Sequence, residues 1–368
     1  MKAALQSKVC GWDMADVDLG LCRSAQEITG SDLFIGIQWF RVVVSTIACF
    51  CSLSSSVFVI RTKLYHSDLR FLTVNSDLPC IAYCALTAYR SASYIRVYIT
   101  AQSSCDFAPK KYACGVQMAA AAALYQTCIS SVFVVAVERT IATCTSRTYE
   151  HKRTPVRTFL MAVASWWQMI ITLILYLTQQ AQDPNQPVKY CSSQSIGPYQ
   201  FDFFNNMLLP TLGLTILLCA ILYFFNRRMN KVYHNSPRGL SHGYQLHENI
   251  HTTRSVLISA SLLLALTAAN FATALTAYRL GATEYTFAII KELTNVVIAF
   301  YSIGNLVQFG VTRALRHGKR GKKEKHLQAD NVHNYSTSKE YFEKLNEYWM
   351  TRANDKKPLK KKSQKRHC

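Results

Sequence analysis

Long apolar runs without any charge alternate with short polar segments along the chain. Five runs contain no Asp, Glu, Lys or Arg: Val42–Ile60, Tyr112–Val137, Thr158–Gln182, Phe203–Asn226 and Ser255–Tyr278. Each run is close to or above the roughly 20 residues that an α-helix needs to cross about 30 Å of hydrocarbon. The pattern therefore predicts at least this many membrane-spanning helices.

Two further spans are less regular. Leu293–Thr312 is apolar but follows the charged pair Lys291 and Glu292, and charges interrupt the apolar stretch around Phe71–Tyr98. The interrupting residues are Asp77, Arg90 and Arg96. Half of the residues are hydrophobic and 17% are charged, against roughly 25% charged in soluble domains. We therefore expect an all-α integral membrane protein with seven helices, of which the second is the least regular.

The distribution of Lys and Arg predicts the orientation of the bundle. With the N-terminus outside, the three inner loops hold these basic residues: Arg61, Lys63, Arg70, Arg139, Arg147, Lys152, Arg153, Arg157, Arg227, Arg228, Lys231, Arg238 and Arg254. The outer loops hold only Lys110, Lys111, Lys189 and Arg279. Because cytoplasmic loops carry the excess of Lys and Arg, the N-terminus is predicted to lie outside. The acidic N-terminal segment lacks a signal-peptide pattern, so the first span is expected to insert directly.

The chain divides into three predicted regions: an extracellular segment 1–33, a transmembrane domain 34–312 and a cytoplasmic tail 313–368. The tail holds 17 Lys and Arg residues against 6 Asp and Glu. Such blocks can bind nucleic acid, but beside a membrane helix they favour the anionic lipid of the inner leaflet. Solvated disorder is an equally good interpretation of the tail. The aromatic spacing near 338–350 predicts a short amphipathic helix within it.

Five of the 13 cysteines fall on the predicted outer side, where oxidation is permitted: Cys10, Cys22, Cys105, Cys114 and Cys191. Cys114 begins the third span, and Cys191 lies in the loop between the fourth and fifth spans. A disulfide between them would hold that loop over the mouth of the bundle. Pairing among Cys10, Cys22 and Cys105 stays open, because spacing alone does not determine connectivity.

The adjacent pair Glu138 and Arg139 ends the third span, 25 residues after Cys114. A long Arg stem can lie along apolar side chains while its guanidinium reaches a carboxylate, water or a partner's backbone. Seven spans with a Cys at the outer start of the third and an acid–Arg pair at its inner end resemble the rhodopsin-like G-protein-coupled receptors. The simpler interpretation is that Arg139 anchors the helix at the membrane interface.

Three motifs narrow the resemblance to the nematode serpentine chemoreceptors of the Sra superfamily. In the second inner loop the similar residues are Glu138, Arg139, Ala142, Thr143, Tyr149, Glu150 and Pro155. In the third inner loop they are Leu240, Ser241, Tyr244, Gln245, Leu246, Glu248, Asn249 and Ile250. The tail adds Tyr341, Phe342 and Trp349. The alpha, alpha-beta, beta and epsilon classes of the superfamily all remain open at this point.

The resemblance implies a receptor rather than an enzyme, without a cofactor or metal. It would detect an environmental small molecule and activate a heterotrimeric G protein, at the plasma membrane of a sensory neuron or its cilium. Residues implied in coupling are Glu138, Arg139, Tyr149, Glu150 and Glu248, with Arg139 and Glu248 holding the inner helix ends together at rest. The chain departs from the rhodopsin-like pattern because its sixth and seventh spans lack proline; Pro210 in the fifth span could supply a bend.

Polar residues in the outer halves of the spans are candidates for a ligand pocket between helices. They are Gln117, Asn205, Asn206, Asn270, Lys291 and Glu292. Hydrogen bonding between helices is the alternative role for the amides. Charges within spans are costly, so Asp77, Arg90, Lys291 and Glu292 need a function: an ion path in a transporter or channel, or a pocket or internal ion pair in a receptor.

A rival motif overlaps the third inner loop. His247-Glu248-Asn249-Ile250-His251 matches H-E-x-x-H, in which two His bind zinc and the Glu acts as general base. This favours a membrane-embedded metalloprotease as an alternative function. The position of the motif at a basic cytoplasmic helix entrance, without an obvious third ligand, argues against that alternative.

Overall fold

The apolar runs form a bundle of long α-helices. The structure, a computed structural model, describes residues 19–61, 66–145, 155–180, 187–191, 198–234 and 240–311. The described helices are α1 (Leu19–Thr29), α2 (Asp32–Arg61), α3 (Ser67–Thr100), α4 (Lys111–Cys144), α5 (Pro155–Gln180), α6 (Pro198–His234), α7 (Leu240–Arg279), α8 (Glu284–Thr294) and α9 (297–311).

Six stretches are long and apolar enough to cross a membrane: Asp32–Arg61, Lys111–Cys144, Pro155–Ile174, Leu208–Val232, Asn249–Ala277 and Glu284–Val311. The last of these combines α8 and α9. α3 supplies the seventh span; it is 34 residues long but carries the charges that made its sequence pattern irregular. The prediction of an all-α membrane bundle with seven helices is confirmed for the part of the chain that the structure describes.

The first span is longer than its charge-free run. α2 begins at Asp32 and not near Val42, so Arg41 lies within the helix and is buried. The charge-free run begins only after Arg41, and a charge inside a span is costly. In the structure this cost is offset by an ion pair with Glu292 on α8.

Several small polar side chains of α2 face the inside of the bundle, and large apolar side chains of the same helix face outward. On α2, Phe50 is 66% exposed, whereas Ser45, Ser52 and Ser56 on the opposite face are buried. Small residues let helices approach closely, and their hydroxyls bond across the interface. Ser56 thus donates to Asp77 on α3 at 2.8 Å. The outward apolar surface suits a helix bundle in lipid.

One cluster of buried side chains fills the centre of the bundle and joins six helices. Its members from α2, α3, α4, α6, α7 and α9 include Ala48, Cys84, Ile129, Leu212, Leu263 and Ile298. The helices that carry the polar sites at both ends are therefore fixed against one shared core.

The seventh span is broken without a proline. α8 ends at Thr294, residues 295–296 form a turn, and the helix resumes as α9. The Asn295 carbonyl accepts a hydrogen bond from the Tyr83 hydroxyl at 3.3 Å. The break therefore occurs one turn after Lys291 and Glu292 and leaves a backbone carbonyl that α3 binds.

The described helices up to Phe309 belong to one compact unit. Of the second unit, residues 310–368, the structure describes only 310 and 311. The predicted amphipathic helix near 338–350 and the basic blocks of the tail lie outside the described residues. The predicted division at 33 and 312 stays a prediction.

Candidate functional site

Glu292 on α8 is the centre of a buried ionic cluster at one end of the bundle. Its carboxylate pairs with Arg41 of α2 and with Arg90 of α3, whose Nη2 lies 2.8 Å from Oε1. Gln38 donates to the same carboxylate at 3.4 Å and accepts from Arg41 at 3.2 Å. Glu292 is 0% exposed and the two arginines no more than 4%. Three helices are thus joined by charge in a site shielded from solvent.

A loop segment covers this cluster. Cys191 is bonded to Cys114 at the start of α4 with an S–S distance of 2.08 Å, and its carbonyl accepts from Arg90 Nη2 at 2.9 Å. The neighbouring Tyr190 donates its hydroxyl to Glu292. Burial raises the pKa of Tyr190 above its usual range, so the phenol stays protonated and can donate. Disulfide, carbonyl and phenol together fix the loop over the ion pair.

A second disulfide lies at the same end. Cys22 of α1 is bonded to Cys105, which lies in the short 3₁₀ turn Ser104–Phe107 between α3 and α4. This bond connects α1 to the bundle and resolves a pairing that spacing alone left open. The end that carries both disulfides is called the disulfide end below.

The opposite end of α4 carries the predicted pair Glu138 and Arg139. At 1.5 Å per residue it lies about 38 Å from Cys114 along the helix. Arg139 donates from Nε to Glu138 at 2.5 Å, and from Nη1 to Asn249 Oδ1 at 3.2 Å and Thr252 Oγ1 at 3.3 Å on α7. Both members of the pair are buried. Arg139 therefore lies inside the bundle and not at its surface, bonded to a neutral amide and a hydroxyl.

The sequence profile described as "Serpentine type 7TM GPCR receptor class ab chemoreceptor" matches residues 21–350. The chain belongs to this family. The match therefore selects class ab from the four classes that the loop motifs left open. The receptor is a multi-pass membrane protein, as the predicted spans required.

Two relatives from Caenorhabditis elegans carry the same kind of name. The chain is 25% identical to "Serpentine receptor class alpha/beta-14" over 240 residues, which is 61% of this chain and 59% of the relative. It is 26% identical to "Serpentine receptor class alpha-39" over 193 residues, 52% of this chain and 50% of the relative. The matched region thus spans only about half of each relative. Both names support a receptor role.

The structure describes the side chains of four of the six residues predicted to line a pocket. Lys291 and Glu292 are buried at the disulfide end, and Lys291 Nζ lies 5.9 Å from the centroid of the Phe287 ring. Gln117 and Asn270 are half-buried. The side chains of Asn205 and Asn206 lie outside the described residues, so their predicted role is not tested.

Sequence reasoning missed Arg41 and did not join Arg90 to Glu292. The missing signal was complementarity: two arginines and one glutamate, each inside an otherwise apolar span, are costly alone and much less so when paired. Counting unlike charges at similar predicted depths would have suggested the pairing. The residues are 251 and 202 positions apart, so local spacing held no information about it.

Three of the predicted coupling residues fall outside the described side chains. Tyr149 and Glu150 lie in the undescribed segment 146–154, and the structure gives only the backbone of Glu248 in α7. The predicted Arg139–Glu248 pair therefore stays a prediction. Within the H-E-x-x-H motif, Asn249 is buried and its side-chain oxygen accepts a hydrogen bond from Arg139. The side chain of His247 lies outside the described residues.

A cavity of about 70 Å³, lined by both polar and apolar side chains, lies between the two charged sites. Asp77, Thr252, Ser255, Tyr301 and Asn305 are among the residues that line it. At about 30 Å³ per molecule in liquid water, the cavity has room for about two waters. Because Thr252 also bonds Arg139, the cavity borders the Arg139 contacts directly.

Proposed function

We propose that the receptor detects a small environmental molecule at the disulfide end and activates a heterotrimeric G protein at the Arg139 end. The observation that carries this proposal is the buried contact of Arg139 with Asn249 and Thr252. It joins the ends of α4 and α7 through hydrogen bonds that can open without leaving Arg139 uncompensated, because Glu138 stays beside it. Such a contact suits a two-state switch.

The proposed orientation has the disulfide end outside the cell. Disulfides form and persist in oxidising compartments, and both bonds lie at one end. The excess of Lys and Arg in the loops at the other end supports the same orientation. Tags on both chain termini, stained before and after permeabilisation, test it: the N-terminal tag should stain in intact cells and the C-terminal tag only after permeabilisation.

Signal transfer between the two ends is proposed to use the broken seventh span. Glu292 lies on α8 just before the turn at 295–296, and α9 after the turn contributes Tyr301 to the lining of the cavity. A ligand that moves α8 can therefore change the position of α9 at the cavity. Thr252, which lines the same cavity, bonds Arg139. The coupling element is a chain of contacts and not a single rigid helix.

The experiment is agonist-dependent G-protein activation in cells that express the full chain. Arg139→Ala should reduce the maximal response about tenfold or more and leave surface expression and ligand binding largely unchanged. Arg254→Ala is a matched control, since Arg254 is an exposed arginine on α7 two residues after Thr252. Equal losses of maximal response in Arg139→Ala and Arg254→Ala would indicate that Arg139 only anchors the helix at the membrane interface. A wild-type receptor that binds agonist without activating a G protein would contradict the proposed function.

We place the receptor at the plasma membrane of a sensory neuron, in or near its cilium, with the basic tail on anionic inner-leaflet lipid. The family supports a membrane chemoreceptor, and the tail's excess of Lys and Arg supports lipid contact. A fluorescent fusion in the nematode reports the location. Binding of the isolated peptide 313–368 to phosphatidylserine vesicles against phosphatidylcholine vesicles reports the lipid contact.

A further inference from the structure

The ionic cluster at the disulfide end is unbalanced in charge. Arg41 and Arg90 contribute two guanidiniums, which stay protonated in proteins. Among the described residues, the one carboxylate paired with them is Glu292. Arg41 is 1% exposed and Arg90 4%. An uncompensated charge in a site shielded from water is costly, so the cluster would be stabilised by one more negative charge.

Each guanidinium also has an unused donor. The Nε atoms of Arg41 and Arg90 are buried and have no hydrogen-bond partner among the residues that the structure describes. Other donors of the two side chains are engaged: Arg41 Nη1 contacts Gln38 and Glu292, and Arg90 Nη2 contacts Glu292 and the Cys191 carbonyl. Leaving a buried donor unpaired costs about 1 to 3 kcal/mol of stability, and more when the donor is charged. The free edges of two arginines thus lack an acceptor.

The surroundings of the cluster are largely aromatic and apolar. Phe34 packs edge-on against Tyr94 and Tyr190, with ring centroids 5.3 and 6.1 Å apart. Arg90 lies over the Tyr94 ring at 5.7 Å and has Met118 Sδ 3.1 Å from Nη1. A molecule that satisfies the arginines here would contact carbon and ring faces with the rest of its surface.

We propose that the ligand of this receptor is an apolar small molecule with one carboxylate, held by the free edges of Arg41 and Arg90 in competition with Glu292. The inference rests on the proposed function, because it names the chemical class that the sensing site accepts. A planar carboxylate matches the guanidinium fork and supplies the single charge that the three side chains lack. Partial release of Glu292 would then free α8, which precedes the break in the seventh span.

The test uses purified full-length receptor in detergent and measures its melting temperature. The probes are butanoate, hexanoate, octanoate, decanoate and benzoate at neutral pH, each paired with its primary amide. Binding to the folded state raises stability by mass action, so at least one acid should raise the melting temperature by about 2 °C or more over its amide. An equal shift from acid and amide throughout the panel, including no shift from either, overturns the proposal.

Two variants make the test specific to the arginines. Arg41→Gln leaves one guanidinium facing Glu292, so its charges balance, and the difference between acid and amide should disappear; Arg41→Lys keeps the charge and should restore part of it. Glu292→Gln removes the competing carboxylate and should lower the acid concentration needed by about tenfold. If Arg41→Gln still prefers acids over amides, the acid does not bind at Arg41. If Glu292 has only a structural role, Glu292→Gln should not increase the affinity for acids.

Failure of this inference can be told apart from failure of the proposed function, because the melting assay involves no G protein. Acids that stabilise the receptor but elicit no Arg139-dependent signal would support the ligand class and contradict the function. Amides or amines that signal through Arg139, with no preference for acids in the melting assay, would support the function and contradict the ligand class.

Discussion

Each end of the bundle buries an arginine–glutamate pair, but the two pairs differ in what they connect. Glu138 and Arg139 are neighbours in the chain, and Arg139 reaches α7 only through Asn249 and Thr252, which are neutral. Glu292 binds arginines on two other helices and is itself bound by the loop residue Tyr190. One end carries its compensating charge locally, and the other distributes it across the fold.

This difference determines what each end can do at low cost. Separating α4 from α7 at the Arg139 end breaks hydrogen bonds worth about 1.5 to 3 kcal/mol each and leaves the ion pair intact. Separating α2 or α3 from α8 at the disulfide end breaks an ion pair and strands a buried charge, which costs about 3 to 5 kcal/mol. The Arg139 end is therefore suited to spontaneous switching. The disulfide end should open only when another anion replaces Glu292.

The largest effect is expected from Glu292→Gln, because it strands two guanidiniums at once. We expect a loss of about 3 to 5 kcal/mol in stability, visible as a large drop in surface expression and melting temperature. Arg41→Gln should cost less, because the remaining Arg90–Glu292 pair is balanced. Removing the acid should thus be worse than removing either base, because it breaks two ion pairs and leaves two unpaired charges, whereas removing one base leaves a balanced pair.

A matched control lies on the same helix. Glu284 at the start of α8 pairs with Lys189 at 3.3 Å, and both side chains are largely exposed. Glu284→Gln should change surface expression little, since exposed ion pairs are worth about 0 to 1 kcal/mol. Similar losses for the two glutamate variants would contradict the burial argument and leave the disulfide end no more constrained than the Arg139 end.

The next effect concerns the two disulfides, which close loops of similar length, 77 and 83 residues apart. Loss of either should cost about 2 to 4 kcal/mol by chain entropy. Only Cys191→Ser also releases the loop that brings Tyr190 to Glu292. Both variants should therefore lower surface expression, but at equal surface levels Cys191→Ser should impair the response to agonist more than Cys22→Ser. Equal agonist responses would show that the loop takes no part in sensing.

A smaller effect is expected at the Arg139 end, on basal signalling and not on stability. Thr252→Val removes one acceptor of Arg139 without changing side-chain volume much, and the contact weakens by about 1.5 kcal/mol. The ratio of active to resting receptor should rise roughly tenfold. Thr253→Val is the control, because Thr253 is the next residue on α7 and its buried hydroxyl has no hydrogen-bond partner in the part of the chain that the structure describes. An equal rise in basal signalling in both variants would show that the Arg139 contact is not part of the switch.

Much of this architecture was predictable because lipid imposes strict demands on a chain. Apolar runs of sufficient length predicted the spans, and the Glu138–Arg139 pair was recognisable from its place at the end of one run. Arg41 was not predicted to lie within the first span, because a charged residue was taken to end an apolar run, although α2 continues through it. The turn at 295–296 was not predicted either, since it contains neither proline nor glycine and its contact with Tyr83 comes from another helix.

Tertiary pairing explains the remaining misses. The free arginine edges could not be inferred from residue types, because they depend on which donors Glu292, Gln38 and the Cys191 carbonyl already occupy. The Cys22–Cys105 bond was one of several open pairings. Sequence patterns report burial and helix length well, whereas the choice of partner among buried polar groups requires the packed bundle.

The smallest effect is expected from Glu248→Gln, which changes the residue predicted from the sequence to pair with Arg139. Asn249 and Thr252 already bind Arg139 at 3.2 and 3.3 Å. If Glu248 adds only a solvent-screened attraction to these contacts, its contribution is about 0 to 1 kcal/mol. Basal signalling should then rise at most about fivefold, less than in Thr252→Val, and the effect should fade at high salt because exposed charges are screened. A larger, salt-independent rise would make Glu248 the main partner of Arg139. A zinc-dependent proteolytic activity abolished by Glu248→Gln would instead support the H-E-x-x-H alternative, in which this residue acts as the general base.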